Sequence, residues 1–295
     1  MPFMFSRGCP YNCTFCSSRQ MWTSKYVLRE IDDVIAEIKY YIARYDITSL
    51  QLYDLTAIVK KDWIVAFCQR LIDEDIKLNW SLPSGTRSEV LDRETLELLY
   101  RSGCNYLVYA PESGSIKTLV NIKKSIKLEN LTRSVLNAKQ IWICFRIYLI
   151  IGFPSELWPD IFQTVFYGLK MSIRGVDEVP IFIFSPYPGT EIFYKLIENG
   201  KITLNDDYFF YITSLNGNYL AIKRVISYHP DIKAWKLGVI RTVFILLNYT
   251  IGYTMYPHRI FRTIRNLFLS RASTVFEHRL KDLLKRFFVR QQGKC

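Results

Sequence analysis

Apolar positions along the first 200 residues follow two alternating rhythms. Ile31, Val34, Ile35, Ile38, Tyr41 and Ile42 recur at helical spacing, as do Trp63, Phe67 and Leu71 within 60–74. Between such stretches lie apolar runs read as strands: SLQLYDL (49–55), NYLVYAPES (105–113) and IWICFRIYLIIGFP (141–154). KLNWSLPSG (77–85) reads as a strand that stops at its proline and glycine. DRETLELLYRSG (92–103) predicts a helix with Asp92 as N-cap and Gly103 as its stop. Helices are also predicted over 128–140 and 159–175. DEVPIFIFSPYPGT (177–190) then predicts a strand, and 191–200 a short helix.

The result is about six strand–helix units spaced by ~30 residues, as parallel βαβ connections require. The pattern predicts an α/β fold with a parallel sheet. A doubly wound open sheet and a partial (βα)6 barrel both satisfy it. The barrel is favoured by where the unusual residues fall. Cys9, Asp54, Arg87, Glu112, Gly152 and Pro186 all follow strand ends, the rim at which barrel chemistry is built.

Charge divides the chain. The formal net charge of +12 is concentrated beyond residue 229, where 13 Lys and Arg face 3 Asp and Glu. We therefore expect a barrel over 1–200, a connecting segment over 201–229, and a basic helical tail over 230–295. The opening MPFMFSRGCP lacks a basic region followed by an apolar run, so no secretory signal is expected and a cytoplasmic location is.

Seven cysteines without regular pairing point to a reducing compartment rather than a disulfide framework. Three of them, Cys9, Cys13 and Cys16, fall within SRGCPYNCTFCSS (6–18), spaced C-x-x-x-C-x-x-C. Three thiolates on one loop can ligate three irons of a [4Fe–4S] cube, leaving one iron open to a ligand. The alternative, structural zinc, wants four Cys or His ligands, yet the first histidine is His229.

GCPYNCTFC after a first strand resembles the radical S-adenosylmethionine enzymes. APESGS (110–115), LIIGFPSE (149–156) and FSPYPGTEIF (184–193) resemble later barrel segments of their cobalamin-dependent branch, the anaerobic magnesium-protoporphyrin ester cyclase type. The resemblance implies that Cys9, Cys13 and Cys16 ligate a [4Fe–4S] cluster whose open iron chelates S-adenosylmethionine, which then yields a 5′-deoxyadenosyl radical. It implies Phe15 near the adenine, Glu112 and Ser113 reaching ribose and methionine, and Ile150 and Gly152 packing the adenine. Arg87 would pair with the methionine carboxylate. Three of these have a plainer reading: Phe15 as a core aromatic, the serine segment as a helix cap through Ser113 or Ser115, and Gly152 as a turn residue. Arg146 and Tyr148 share the strand face of Ile150; Arg146 either touches substrate or pairs with a carboxylate such as Asp54. The branch carries a cobalamin-binding domain upstream of its barrel. The sequence starts at the first strand, so cobalamin would enter only through a separate or missing domain. An electron donor such as flavodoxin or ferredoxin is implied.

The tail holds an apolar run over 237–256, interrupted by Arg241 and Asn248. A stripe through Ile260, Phe261, Ile264, Leu267 and Phe268 follows, with Arg259, Arg262 and Arg265 off it. A second stripe runs through Phe276, Leu280, Leu283, Leu284, Phe287 and Phe288. Such helices suit a cap on the barrel or an anionic membrane surface; nucleic acid carries the least weight. We expect an enzyme that activates a C–H bond of a small-molecule or lipid-like substrate, for methylation, cyclisation or a related reaction. A non-catalytic or electron-transfer iron–sulfur subunit is the alternative, with a tRNA-methylthiolating enzyme third.

Overall fold

The computed structural model describes residues 1–86, 90–141, 143–214, 225–269 and 274–292. In chain order the elements are β1 (Pro2–Phe3), β2 (Ser6–Arg7), α1 (Ser18–Met21), β3 (Val27–Leu28), α2 (Ile31–Tyr45), β4 (Ser49–Leu52), α3 (Lys61–Asp73) and β5 (Asn79–Thr86). They continue with α4 (Arg93–Arg101), β6 (Cys104–Glu112), α5 (Ile116–Asn121), α6 (Leu128–Gln140), β7 (Cys144–Ile151), α7 (Trp158–Ile173), β8 (Ile181–Ile183) and α8 (Glu191–Glu198). The last four are α9 (Asp206–Ser214), α10 (Ala234–Met255), α11 (His258–Phe268) and α12 (Val275–Gln292).

Six strands form one parallel sheet in the order β1-β4-β5-β6-β7-β8. Sequential parallel neighbours joined by helices are the expected partial (βα)6 barrel. Alternation along β7 shows its two faces. Phe145, Ile147, Leu149 and Ile151 are fully buried in the core shared with the helices, while Cys144, Arg146, Tyr148 and Ile150 are half-buried on the opposite, concave face. A second core at the strand C-terminal end gathers Phe153, Phe184, Phe193, Tyr208 and Tyr228 with Phe15 and Ile150 packed against it.

Local chemistry explains most boundaries. Asp92 accepts from the Thr95 amide at the start of α4, and Gly103 ends it with φ +99°. The strand predicted to stop at Pro83 instead continues through Pro83 and Gly85 to Thr86. A shift of register against β6 between Leu82 and Thr86 accommodates the missing donor. The strand predicted over 177–190 is a ladder only over Ile181–Ile183, with an isolated bridge from Glu178 to Arg146 ahead of it. An antiparallel hairpin, β2 with β3, brackets the cysteine loop.

The tail continues the core. In α10, Leu237, Arg241, Phe244 and Asn248 are buried, and the helix packs on α7 and β8. Asn248 accepts from Ser172 at 2.6 Å. Among the described residues, α10 is the one helix long and apolar enough to cross a membrane by length and composition. The polar groups that interrupt it, Arg241 and Asn248, lie on its buried face. In α11 the sequence pattern is inverted. Arg259, Thr263 and Asn266 are buried, while Ile260, Phe261, Ile264 and Phe268 are exposed, Phe268 by 85%.

Candidate active site

The site is assembled at the C-terminal ends of the strands. Gly8 leads into the cysteine loop with φ +79°, and a Cβ there would lie 2.1 Å from the Lys25 carbonyl oxygen. Only glycine can deliver the chain to Cys9 by that route. The loop is then stitched down through Thr14. Its amide donates to Ile122 O at 3.0 Å, and its carbonyl accepts from Ile192 N at 3.1 Å. Phe15 meets Phe153 edge to face at 5.6 Å, tying the loop to the turn after β7.

Asp54, just beyond β4, anchors the other side. It is fully buried and accepts from the Phe5 amide at 3.1 Å and from both the amide and hydroxyl of Ser6. Burial raises its pKa against those bonds. Arg146 does not pair with Asp54. It forms an ion pair with Glu178 and lies over the rings of Tyr106 and Tyr148. The neighbouring carboxylate lies at the start of the β8 segment, near the N-terminal end of β7, so Arg146 sits deep in the barrel. Glu178 also accepts from Tyr249 at 3.1 Å.

Cys9 and Cys13 are half-buried and Cys16 is exposed; none of the three is in a disulfide. Burial pushes the Cys13 thiol up, opposed by Lys124, with Cys16, Glu112 and Cys9 close enough to contribute. Among the described residues no three metal-ligating groups are already closed around a metal-sized point. The donor set nevertheless fits an iron–sulfur cluster: three thiols of one loop within each other's field, and an ammonium beside them to offset thiolate charge.

That ammonium is Lys124, which the sequence reading did not single out. It donates to Glu112 at 3.0 Å, with both side chains largely buried. Glu112 ends β6 at a register shift and holds φ +71°, a conformation rare outside glycine. Strain of this kind costs ~1–3 kcal/mol and gathers at functional sites. The sequence signal was available in the paired lysines of NIKKSI (121–126), one short helix beyond Glu112. Ser113 is brought near but turned away. It is fully buried and bonded to the Thr164 hydroxyl at 2.8 Å, while Ser115 caps α5 by accepting from Thr118.

Gly152 turns the chain after β7 with φ +86°, and a Cβ would meet Leu237 at 2.8 Å. Glu156, four residues on, accepts from the Gly152 and Phe153 amides at 2.6 and 3.1 Å. Burial raises its pKa to about 7 against those bonds. It holds the turn rather than facing a ligand. Arg87 lies outside the described residues. A cavity of about 360 Å³ is lined by Phe15, Cys16, Ser17, Ile150, Phe182, Ile183, Phe184, Ser185, Tyr187 and Arg241. A larger hollow of about 670 Å³ opens along the β1 edge, and none of the three cysteines lines it.

Comparison with known proteins accords with this geometry. The radical SAM superfamily model matches residues 3–166, more than half of the chain. The chain belongs to the radical SAM superfamily. An uncharacterized methyltransferase of Pyrococcus horikoshii is 28% identical over 203 residues, 68% of this chain and 43% of the relative. The anaerobic magnesium-protoporphyrin IX monomethyl ester cyclase of Rubrivivax gelatinosus is 24% identical over 65% of this chain and 34% of its own. The chain thus spans less than half the length of these curated relatives. The radical S-adenosylmethionine methyltransferase TsrM of Kitasatospora setae, solved with cobalamin and a [4Fe–4S] cluster, superposes with a TM-score of 0.57. The match covers 67% of this chain and 36% of that one at 15% identity. The radical SAM partial barrel expected from the cysteine loop is therefore the fold observed.

Proposed function

We propose that the chain holds a [4Fe–4S] cluster on Cys9, Cys13 and Cys16, binds S-adenosylmethionine beside it, and acts on a C–H bond of a substrate in the barrel mouth. The family implies both cofactors. The observation that carries the reading is the meeting of three elements at one rim: the cysteine loop, the Glu112–Lys124 pair beside Cys13, and the Phe15–Phe153 contact above Ile150. Held by the thiolates of Cys9, Cys13 and Cys16, the cluster would supply one-electron reducing chemistry to a bound S-adenosylmethionine. The chain's own residues bind and orient. Glu112 accepts from an ammonium or ribose hydroxyl, Lys124 donates to a carboxylate, and Phe15 and Ile150 give apolar surface to a base. The second core excludes water from that end of the barrel.

Methylation and cyclisation are the reaction types named for the relatives, and we extend them to this chain as its reaction class. Cobalamin would be presented by a domain other than the one described, and reducing equivalents by flavodoxin or ferredoxin. The test is anaerobic reconstitution. Iron and sulfide should reach about four of each per chain. The Cys13→Ala variant should lose the cluster and Cys68→Ala should keep it. The reduced protein should release 5′-deoxyadenosine. A fully loaded, reduced cluster that cleaves nothing would favour the electron-transfer alternative.

One observation favours a further placement, at an anionic membrane surface: the outward apolar face of α11. Flotation with anionic and neutral vesicles tests it, as developed below.

A further inference from the structure

Arg7, Arg19, Lys25 and Arg29 are the charged side chains of the first 29 residues, and the first carboxylate in the sequence is Glu30. Arg29 pairs with Glu37. The other three cations are exposed. Their side-chain contacts are uncharged: Arg7 lies over the Trp22 ring at 6.0 Å, and Arg19 donates to Asn12 at 2.9 Å. Beside them stand apolar side chains that the fold leaves uncovered. Met21 is 70% exposed, Val27 48% and Trp22 39%. Arg7 and Val27 are opposite each other in the β2–β3 hairpin and share its outer face, while Ser6 is buried and Leu28 packs on the core. Trp22 joins that face beneath Arg7. An apolar centre of Trp, Met and Val with an arginine and lysine rim is the make-up of a protein-docking face.

What lies under the face points to the partner. The segment 17–25 carries Met21, Trp22 and Lys25 and touches the cysteine loop twice. The Ser18 hydroxyl is 3.0 Å from Cys16 Sγ, and the Thr23 carbonyl accepts from the Cys9 amide at 3.4 Å. A macromolecule seated here is separated from two of the three cysteines by single contacts. The face is also distinct from the cavity that holds Phe15 and Ile150, since none of Arg7, Met21, Trp22, Lys25 and Val27 lines it. Lys124 acts on Cys13 from a largely buried position, whereas the three outer cations point into water, where they meet a partner by long-range attraction.

We infer that this face docks an acidic one-electron carrier protein, bringing its reduced cofactor against the segment over Cys9 and Cys16. One electron leaves the carrier and enters the cluster; no bond forms or breaks. The inference rests on the iron–sulfur reading above and adds to it the place where the reductant seats. Closeness to two cysteines of the loop favours a redox partner over a lipid surface.

The experiment uses cluster-loaded protein under anaerobic conditions, with reduced flavodoxin as probe and dithionite as a reductant too small to need the face. Bleaching of the cluster is followed by stopped flow. Binding of oxidised flavodoxin is measured by calorimetry, which reads docking whatever the two potentials are. In wild-type protein both signals should weaken as salt is added. The triple variant Arg7→Glu, Arg19→Glu, Lys25→Glu should slow reduction by flavodoxin and weaken its binding by about tenfold or more. Its iron content and its reduction by dithionite should change by less than about twofold, as exposed sites allow. The corresponding triple glutamine variant should fall between, and it takes the place of the glutamate variant if that chain loses its cluster. Lys77→Glu with Arg101→Glu, just before β5 and β6, controls for net charge. Wild-type protein that binds no flavodoxin overturns the inference, as does an equal loss in the control. A triple variant that loses anionic-vesicle binding while flavodoxin still reduces it at the wild-type rate assigns the face to lipid and also overturns it. A chain that forms no cluster overturns the iron–sulfur reading and this inference together. A cluster that dithionite reduces, and that flavodoxin reduces regardless of the charge reversal, overturns the docking face alone.

Discussion

Glu156 holds the turn on which Phe153, and through it the cysteine loop, depends. Its carboxyl is buried, and its pKa rises from 4.5 to about 7. A group whose folded pKa exceeds its unfolded one takes up a proton on folding between the two values. Its contribution is therefore complete below about pH 4.5 and is lost as the pH rises through 7. At ~1.4 kcal/mol per unit, the full loss is on the order of 3–4 kcal/mol, of which about 2–3 kcal/mol falls between pH 5 and pH 8. Glu156→Gln keeps an acceptor for the Gly152 and Phe153 amides without the titration. Urea unfolding at pH 5 and pH 8 should show wild-type protein losing that much more stability than the variant. Equal losses would count against the assignment. Glu112 invites a different separation, of backbone from side chain. With φ at +71°, Glu112→Gly should be about 1 kcal/mol more stable than Glu112→Ala, while both bind S-adenosylmethionine more weakly and both retain the cluster. Matched stabilities would mean that the backbone carries no strain there.

Among the described residues, it is α11 whose sequence pattern is inverted. Arg262 donates to Asp177 at 2.6 Å, and Arg259 to the carbonyls of Gly175 and Val176. Thr263 and Asn266 both bond to Glu277 of α12. The polar side is the inner one. Arg262→Ala should cost ~1–3 kcal/mol in urea unfolding, because Asp177 loses a charge partner in a half-closed setting. A Phe261→Asp, Phe268→Asp double variant should stay within ~0.5 kcal/mol per site, yet it should abolish flotation with anionic vesicles. Flotation that survives the double variant removes α11 as the contact. Periodicity found this helix and its stripe, but a hydrophobic stripe says which residues are alike, not which way they face. The inward arginines required Asp177 and Glu277, which lie outside the helix. The same limit applied to Arg146: alternation put it on the concave face, but only the sheet brought Glu178 rather than Asp54 to it. By contrast, Asp92, Gly103 and the helix over 128–140 were legible because capping and turn chemistry are local.

For the whole molecule, the order of the main sheet was readable because its six strands pair in chain order with helices between them. The role of the tail was not, since its contacts with β8 and α7 span long separations. Leu237→Ala tests how firmly the tail belongs to the barrel. Leu237 is fully buried against the turn after β7. Its truncation should cost ~2–5 kcal/mol within a single unfolding transition if tail and barrel form one cooperative unit. A separate early transition would mean that α10 unfolds alone. That the three cysteines share one loop was legible from spacing. The cavity beside Cys16 was not, because Arg241 reaches it from 225 residues away.

The suspension of the cysteine loop through Thr14 has a consequence in time. During synthesis, residues 9–16 leave the ribosome well before the positions that hold them, Ile122 and Ile192. At ~5–20 residues per second, the thiols wait on the order of ten seconds or more before the second anchor exists. Through that interval the nascent loop has its cysteines but not both of the distant clasps that fix its path. A chain that ends before the last strand–helix unit would therefore present the three cysteines without the second of these clasps.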